Sequence, residues 1–418
     1  MKTSLSGSRD TSLRWWMLVI LSLGFFQLTL NWFDIAAAFP AVGQQFGLQF
    51  PQLALLISLF LAGYGIFHIP TGILAYRFGL RNVLLAGILL EALGGIASAF
   101  APNYVWLMIL RIITGVGASF FVGCGFSMVT SWFRGRELAL ALGISGGAAF
   151  ALGAAFGLFT WVSIIQSTGW STALVIGGVI GIVVFFIALI WLREPNDELG
   201  ELEARYFSWS AIGRVLGNKD LWFLGLGILG AYGAYFTASQ LMSSYAVAVF
   251  HLSASTGGLI AAVIVLAGVP GSILGGYIAD RAHSLKVVII TPLLLLGVGM
   301  LLLPFVGLTG TWVIAVLVGF LLIFGFAAWT AAPGHYSDRV HPKEVATAVG
   351  LMLTLAAVGG FLVPIGFGLI EAASGFTWAW VFLGAVSIVF GVIGFAAREP
   401  LIASSVQKAP IAVERGQI

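Results

Sequence analysis

The chain has 418 residues, of which 60% are apolar and 8% are charged, and its formal net charge is +3. Soluble proteins carry about 25% charged residues, so this composition excludes a soluble protein and makes lipid the solvent for most of the chain. The small net charge, spread over short loops, excludes a nucleic-acid binder, and the single cysteine, Cys124, excludes a disulfide within the chain.

Apolar runs follow one another along the whole chain. A transmembrane helix needs about 20 apolar residues to cross roughly 30 Å of hydrocarbon, and a helix satisfies all its backbone polar groups internally. The predicted spans 1 to 12 cover residues 15–40, 50–75, 82–100, 103–127, 137–160, 171–193, 220–247, 256–279, 285–307, 311–335, 344–371 and 378–397. Span 1 is too long for the core of a cleavable signal peptide and is predicted to be retained.

The positions of the basic residues test this count. Of the 19 Lys and Arg residues, 18 fall at the termini or in even-numbered loops and none in an odd-numbered loop. The remaining one, Arg111, lies inside span 4. By the positive-inside rule, the even-numbered loops and both termini are cytoplasmic. We therefore expect a multi-pass protein of the plasma (inner) membrane.

A polar stretch divides the chain into halves. Residues 194–219 are predicted to form a cytoplasmic linker with a short amphipathic helix near 208–216. The linker separates a predicted six-helix bundle at 15–193 from a second one at 220–397, and residues 1–14 and 398–418 form cytoplasmic ends. The segment Gly72-Ile-Leu-Ala-Tyr-Arg77 recurs 204 residues later as Gly276-Tyr-Ile-Ala-Asp-Arg281. Such repeats are typical of transporters with a midplane site between two rocking halves.

Two motifs resemble signatures of the major facilitator superfamily. Residues 72–83, Gly-Ile-Leu-Ala-Tyr-Arg-Phe-Gly-Leu-Arg-Asn-Val, are similar to its loop pattern Gly-x-Leu-Ala-Asp-Arg-Phe-Gly-Arg-Arg. Residues 111–117, Arg-Ile-Ile-Thr-Gly-Val-Gly, are similar to its fourth-helix pattern Arg-x-x-x-Gly-x-Gly. The resemblance covers about residues 15–397. It implies two pseudo-symmetric six-helix bundles, a central cavity lined by spans 1, 4, 7 and 10, and alternating access.

One departure from the signature concerns the cytoplasmic gate. The aspartate that helps hold this gate shut in the family is replaced here by Tyr76, so the first half lacks the acid of this latch. Asp280 keeps the acid in the second half and is expected to meet Arg134 or Arg136. Arg77 and Arg81 are expected to meet Asp338 or Glu344, unless these arginines only set topology. The predicted gate and loop-motif residues are Gly72, Arg77, Gly79, Arg81, Arg134, Arg136, Asp280, Arg281 and Glu344.

Charges inside the membrane are the sharpest functional signal. A central Asp or Arg costs about 2.5–3.5 kcal/mol on insertion scales. Arg111 in span 4 and Asp34 in span 1 lie at matching depths on helices expected to face the cavity. We predict an ion pair or a shared proton and anion site, in which protonation of Asp34 frees Arg111 for a substrate carboxylate. The alternative is a static pair that fixes helix packing.

Other polar and aromatic side chains extend the candidate site. Gln27 and Asn31 share one face of span 1 with Asp34. Polar-tipped aromatics suit a wet cavity and an organic substrate. Each of these residues lines either the cavity or a contact between helices. The candidates beyond span 1 and span 4 are Tyr232, Tyr235, Ser239 and Gln240 in span 7 and Trp329 and Thr330 in span 10.

Three further titratable residues and a set of glycines have structural interpretations. Glu91 in span 3 is expected to hydrogen-bond a neighbouring helix, His68 to be structural, and Glu371 to be solvated at the outer surface. Glycines let helix backbones approach closely in lipid and serve either packing or sliding of the bundles. The glycines of spans 5 and 8 are Gly143, Gly146, Gly147, Gly153, Gly157, Gly268, Gly271 and Gly275.

These features predict a monomeric secondary transporter and not an enzyme. The expected cargo is a small organic anion, a mono- or dicarboxylate, taken up with protons. No phosphate-binding loop, catalytic set or metal-spaced cluster occurs in the sequence, so no cofactor, metal or catalytic residue is predicted. Nitrate porters and oxalate antiporters are disfavoured, because spans 2 and 8 lack a central arginine and span 11 lacks a central lysine. The alternative is a proton-coupled exporter of hydrophobic or cationic compounds.

Overall fold

The structure, a computed structural model, describes residues 4–133, 137–194, 209–279, 281–336, 340 and 345–399. The helices of the first half are Ser4–Trp32, Asp34–Phe46, Phe50–Ile66, His68–Phe78, Leu80–Ala99, Tyr104–Trp132, Leu138–Leu142, Phe150–Thr168 and Trp170–Trp191, with a π-helical turn at Gly143–Ala149. Those of the second half are Trp209–Gly217, Lys219–Phe250, Ala254–Leu266, Gly268–Ala279, Leu285–Leu302, Leu308–His335, Val345–Ser374 and Phe376–Gly394, with a 3-10 turn at Leu303–Phe305. Trp209–Gly217 agrees with the predicted linker helix.

The helices confirm the predicted membrane fold. Within the described residues, eleven helices are long and apolar enough to cross a membrane. Span 2 is not among these eleven helices. It is divided at Phe67 into helices of 17 and 11 residues, and each piece alone is too short to cross the membrane. The two pieces together have the length of a crossing, which completes the twelve predicted spans.

Spans 2 and 8 are broken at corresponding places. The first helix of span 2 ends at Ile66, and that of span 8 ends at Leu266. Each end lies four residues before a proline, Pro70 in span 2 and Pro270 in span 8. A proline lacks the N–H that would bond the carbonyl four residues back, and its ring clashes with that carbonyl, so a helix ends there. Both prolines then occupy the first turn of the next helix, where they are tolerated.

The two halves pack their helices in the same pattern. Each close pair in the first half, such as spans 1 and 5, 2 and 4, or 3 and 6, recurs six spans later. Glycines allow the backbones of several of these helix pairs to pack closely. A Cβ on Gly63 would overlap the carbonyl oxygen of Ile112, and one on Gly115 would overlap that of Phe60, so spans 2 and 4 touch backbone to backbone. The glycines that do the same between spans 8 and 10 are Gly271, Gly275 and Gly319.

The halves meet along spans 2 and 11 and along spans 5 and 8. We call the end that carries the even-numbered loops the terminal face, and the opposite end the far face. At the far face the Phe50 ring lies 6.2 Å from that of Phe367 and 5.4 Å from that of Phe376, and Gly368 packs on Pro51. Near the terminal face each of the four spans has a glycine with open space beside it: Gly72, Gly143, Gly276 and Gly350. Spans 2 and 11 are therefore in contact at the far face, whereas these four glycines have no packed neighbour at the position of a Cβ.

A clamp at the terminal face joins span 3 to the end of span 6. The Arg81 backbone N–H donates to Glu194 Oε1 at 2.6 Å. The Arg81 guanidinium donates to the carbonyl oxygens of Leu192 at 2.7 Å and Leu189 at 2.5 Å. The last carbonyls of a helix have no partner within the helix, and a cation satisfies both their hydrogen bonding and the helix dipole.

The same clamp recurs in the second half between span 9 and the end of span 12. The Lys286 backbone N–H donates to Glu399 Oε1 at 3.1 Å, and Lys286 Nζ donates to the carbonyl oxygens of Phe395 at 3.0 Å and Ala397 at 2.9 Å. In the sequence, Arg-Glu-Pro at residues 193–195 recurs at residues 398–400. The glutamate of this repeat, Glu194 in the first half and Glu399 in the second, accepts the backbone N–H in each clamp.

In this structure the clamp holds the Arg81 guanidinium on its own half, and its predicted partners Asp338 and Glu344 lie outside the described residues, so its gate role stays a prediction. Arg77 is exposed and lies 5.5 Å from the Phe78 ring, and Arg281 lies 3.7 Å from the Tyr277 ring. Gly79 has a φ of +86°, a conformation that favours the glycine of the motif. Arg134, Arg136, Asp280 and Glu344 lie outside the described residues, so their pairing stays a prediction.

Replacing Arg81 with alanine should lower stability by about 1 kcal/mol, because two charge-assisted hydrogen bonds to the end of span 6 are lost at a partly exposed site. The thermal midpoint of the purified protein measures this. Arg77→Ala is the matched control, since its described contact is only the ring of its neighbour. An equal drop in both variants would contradict the clamp.

Candidate functional site

The predicted charge pair forms in the interior of the first half. Arg111 Nη1 lies 3.6 Å from Asp34 Oδ1, and each side chain is 2% exposed. Asp34 is the first residue of the second helix of span 1, where the helix dipole favours a carboxylate. At 3.6 Å the two groups attract without a close hydrogen bond. The pair is thus buried, and its two charged groups lie farther apart than in a close hydrogen-bonded ion pair.

Arg111 is held on two other sides. Its Nη2 donates to the carbonyl oxygen of Trp32 at 3.1 Å. The Phe60 ring lies 4.9 Å from the guanidinium carbon, within range of a cation–π interaction. Arg111 Nε and Asp34 Oδ1 have no hydrogen-bond partner among the described residues. The guanidinium therefore keeps an unused donor beside a carboxylate that keeps an unused acceptor.

A second acid joins this pair. Gln27 Nε2 donates to Glu91 Oε2 at 3.4 Å, which confirms the expected hydrogen bond between Glu91 and a neighbouring helix. The Glu91 carboxyl group is also close enough to interact electrostatically with Asp34 and Arg111. Asn31 Nδ2 donates to the carbonyl oxygen of Gly177 in span 6 at 3.1 Å. Gln27 and Asn31 thus make contacts between helices of the first half.

An aromatic layer covers the charged cluster and joins the two halves. The Trp32 ring in span 1 stacks on the Phe236 ring in span 7, with centroids 5.0 Å apart and an interplanar angle of 2°. Trp32 also contacts Phe60 and Tyr64 of span 2. Tyr232 of span 7 packs on Phe236, with ring centroids 4.8 Å apart. Tyr232 therefore lies against the ring that meets Trp32 at the boundary between the halves.

The other predicted residues of spans 7 and 10 bond mainly to backbone. Ser239 Oγ and Gln240 Nε2 donate to the carbonyl oxygen of Phe236 at 3.2 and 3.3 Å. Trp329 Nε1 donates to the carbonyl oxygen of Leu224 at 2.9 Å, which ties span 10 to span 7. The remaining two are Tyr235, whose ring packs edge-on to that of Phe236, and Thr330, which donates to Ala327. For Trp329 the arrangement favours helix packing over cavity lining.

His68 lies at the break in span 2 and links it to span 4. Its Nδ1 is 3.2 Å from Ser119 Oγ, and its ring packs edge-on to Tyr64 at 4.4 Å. Sequence reasoning passed over the break itself, although Pro70 and Pro270 mark it in both halves. Interrupted spans at corresponding positions of two halves are a pointer to a transporter's binding site.

Within the described residues no cluster of three or more His, Cys, Asp or Glu side chains has the arrangement of a metal site. Cys124 is a free, buried thiol. The chemistry of the site therefore consists of one guanidinium, two carboxyl groups, an amide and an aromatic wall. Such a set can bind an anion and exchange protons.

The sequence is similar to a family model and to two known transporters. A sequence model described as Major Facilitator Superfamily matches residues 21–364. The chain is 24% identical to the probable L-galactonate transporter of Escherichia coli (strain K12), over 65% of this chain and 63% of that protein. It is 25% identical to the probable galactarate/D-glucarate transporter GudP of the same strain, over 92% of this chain and 93% of that protein.

The fold is shared with a solved structure. A crystal structure of a bacterial homolog of the human lysosomal transporter Spinster, in an inward-facing and unoccupied conformation, matches with a TM-score of 0.72. The match covers 92% of this chain and 95% of that chain at 17% sequence identity. At this identity the similarity shows a common fold alone.

Proposed function

Since the chain belongs to the major facilitator superfamily and is a membrane transporter, we propose that its cargo is a small organic anion, a mono- or dicarboxylate, carried by alternating access with protons. One observation carries the proposal. Arg111 is buried beside Asp34, at 2% exposure, in the interior of a membrane-spanning bundle. Such intramembrane charges are expensive and mark substrate or proton pathways.

The geometry supports competition between two carboxylates for one guanidinium. Arg111 is held by Asp34 and a backbone carbonyl, and its Nε is unused. A substrate carboxylate offers the two parallel acceptors that a guanidinium fork prefers. Protonation of Asp34 removes its charge and frees Arg111 for the substrate. Substrate binding and proton binding therefore favour each other, which is the requirement for symport.

The relatives support an acid as cargo. The two Escherichia coli proteins are named as transporters of L-galactonate and of galactarate or D-glucarate. All three compounds carry at least one carboxylate, the group for which Arg111 is suited. The aromatic layer over Arg111, formed by Trp32, Phe236 and Tyr232, suits the organic part of such a substrate.

The terminal face of the molecule is proposed to be cytoplasmic. The basic residues of the clamps and the even-numbered loops lie at the terminal face, and the positive-inside rule places such loops in the cytoplasm. Alternating access would part spans 2 and 11 at the far face, where their ends are in contact.

Uptake into liposomes containing the purified protein tests the proposal. A panel of mono- and dicarboxylates is supplied with the interior either at the same pH as the outside or one unit more alkaline. With one proton per anion, we expect accumulation to reach about tenfold per pH unit, since both ions move together.

Nitrate and a lipophilic cation serve as competing cargoes in the same vesicles. Carboxylate uptake that ignores the pH gradient would remove the coupling part of the proposal. Transport of nitrate without transport of any carboxylate would contradict the proposal that the cargo is an organic anion. Proton-driven movement of the lipophilic cation without carboxylate transport would favour the alternative function, an exporter of hydrophobic or cationic compounds.

A further inference from the structure

The buried charged cluster contains one more acid than the ion pair needs. Arg111 is 2% exposed, and Asp34 and Glu91 are each 1% exposed. With both acids ionised the cluster would carry a net negative charge in a bundle surrounded by lipid. An uncompensated charge in such a place is strongly unfavourable, and the group takes up a proton instead.

The surroundings of Glu91 offer no other cation among the described residues. Span 1 presents Gln27 and Asp34 to it, and span 4 presents Arg111. Span 6 packs on the neighbouring Ala92 with the glycines Gly178 and Gly181. The charge balance of Glu91 therefore depends on Arg111 and Asp34.

The contacts in this state favour Asp34 as the ionised acid. Asp34 has the guanidinium at 3.6 Å and sits at a helix N-terminus. Glu91 has only the side-chain amide of Gln27, and both Glu91 Oε1 and Gln27 Oε1 are without a hydrogen-bond partner. An amide can donate to a carboxylate or, after rotation by 180°, accept from a carboxylic acid. Gln27 is thus able to form a hydrogen bond with Glu91 whether Glu91 is ionised or protonated.

We propose that Asp34 and Glu91 share one resident proton, so that only one of the two carboxylates balances Arg111 in the empty carrier. The contacts described above favour Glu91 as the acid that carries this proton. When Asp34 takes a proton instead, Glu91 loses its own and becomes the counter-ion, and the cluster stays neutral.

The consequence for transport rests on the proposed function. A substrate carboxylate bound to Arg111 adds a second anion, so both acids must then be protonated. One proton from water adds to the ionised carboxylate, forming its O–H bond, and leaves again when the substrate departs. Each carboxylate group bound to Arg111 thus brings one proton, and either acid can receive it.

Infrared spectroscopy of the purified, substrate-free protein tests the shared proton directly. A protonated carboxyl group has a C=O stretch that shifts in D₂O, and the double variant Asp34→Asn with Glu91→Gln provides the baseline. Wild type should show one band above that baseline at neutral pH. Glu91→Gln and Asp34→Asn should each lose it, because one acid then remains for one guanidinium and must be ionised.

Two outcomes of this measurement would overturn the proposal. A band that survives in Asp34→Asn would show that Glu91 is protonated independently of Asp34. A wild type without the band would show that no resident proton exists. Glu371→Gln, at the far end of span 11, is the control and should keep the band. All of these substitutions preserve side-chain size, and the thermal midpoint of each variant reports retention of the fold.

Binding of a transported carboxylate at a series of pH values provides the second readout. Each single variant should keep a dependence of about tenfold in Kd per pH unit over the range in which its remaining acid titrates, and the double variant should lose it. If Kd lost its pH dependence in Asp34→Asn but kept it in Glu91→Gln, the proposal that Glu91 can replace Asp34 as the counter-ion of Arg111 would be contradicted. If wild type binds no carboxylate at any pH, the proposed function fails, but the infrared result still decides the shared proton.

Discussion

Replacing Arg111 with alanine should abolish carboxylate uptake. Truncating one partner of a buried charge pair costs 2–5 kcal/mol, which corresponds to a loss of affinity of about 30-fold or more. The fold should survive, because Asp34 and Glu91 can both take a proton once the guanidinium is gone and the cluster is again neutral. The measurement is counterflow exchange of a labelled carboxylate in liposomes at equal pH, which needs no proton gradient.

Arg111→Lys separates charge from geometry. Lysine keeps a positive charge but lacks the planar fork that binds a carboxylate through two parallel hydrogen bonds. We expect partial recovery of binding and slower exchange than in wild type. Arg81→Ala is the control for loss of an arginine elsewhere, since the Arg81 guanidinium contacts the carbonyls at the end of span 6. Exchange by Arg111→Ala at the wild-type rate would refute the role of this residue in binding.

Replacing Gly275 with valine should destabilise the protein severely. A Cβ at Gly275 would overlap the Phe324 backbone, including its carbonyl oxygen, because spans 8 and 10 touch there without a side chain between them. Overpacking a well-packed interior costs about 1–3 kcal/mol, and backbone atoms yield less readily than side chains. We expect little folded protein on purification and a lower thermal midpoint in what remains.

The adjacent residue supplies a matched control. Gly276 belongs to the same helix, but a Cβ there would meet nothing within 4 Å. Gly276→Val should therefore leave the thermal midpoint close to that of wild type. Equal destabilisation by both substitutions would mean that a general property of the helix, and not the approach of span 10, requires glycine at this place.

The candidate site illustrates what the sequence could and could not supply. The depth of Asp34 and Arg111 along their spans predicted that they pair, because depth follows from counting residues at a fixed helical rise. The partners of Gln27, Asn31 and Arg81 did not follow, since they depend on how each helix is rotated against its neighbours. Rotation is set by contacts between residues far apart in sequence, such as Gly63 with Ile112.

Two structural features had sequence signals that were passed over. The paired breaks in spans 2 and 8 follow from Pro70 and Pro270, whose effect on a helix is local. The clamps follow from the repeated Arg-Glu-Pro at the ends of spans 6 and 12. Both signals become visible only when the halves are compared position by position, since each is a common pattern when it stands alone.

The sequence by itself determined the twelve spans, the repeat and the presence of opposite charges in the interior. These are properties of single segments, because transfer into lipid depends on the composition of one helix at a time. Only the tertiary structure decided that Glu91 joins Asp34 and Arg111, and that Trp32 meets Phe236 across the halves. Such contacts arise from the close packing of several helices, which fixes distances that no single helix contains.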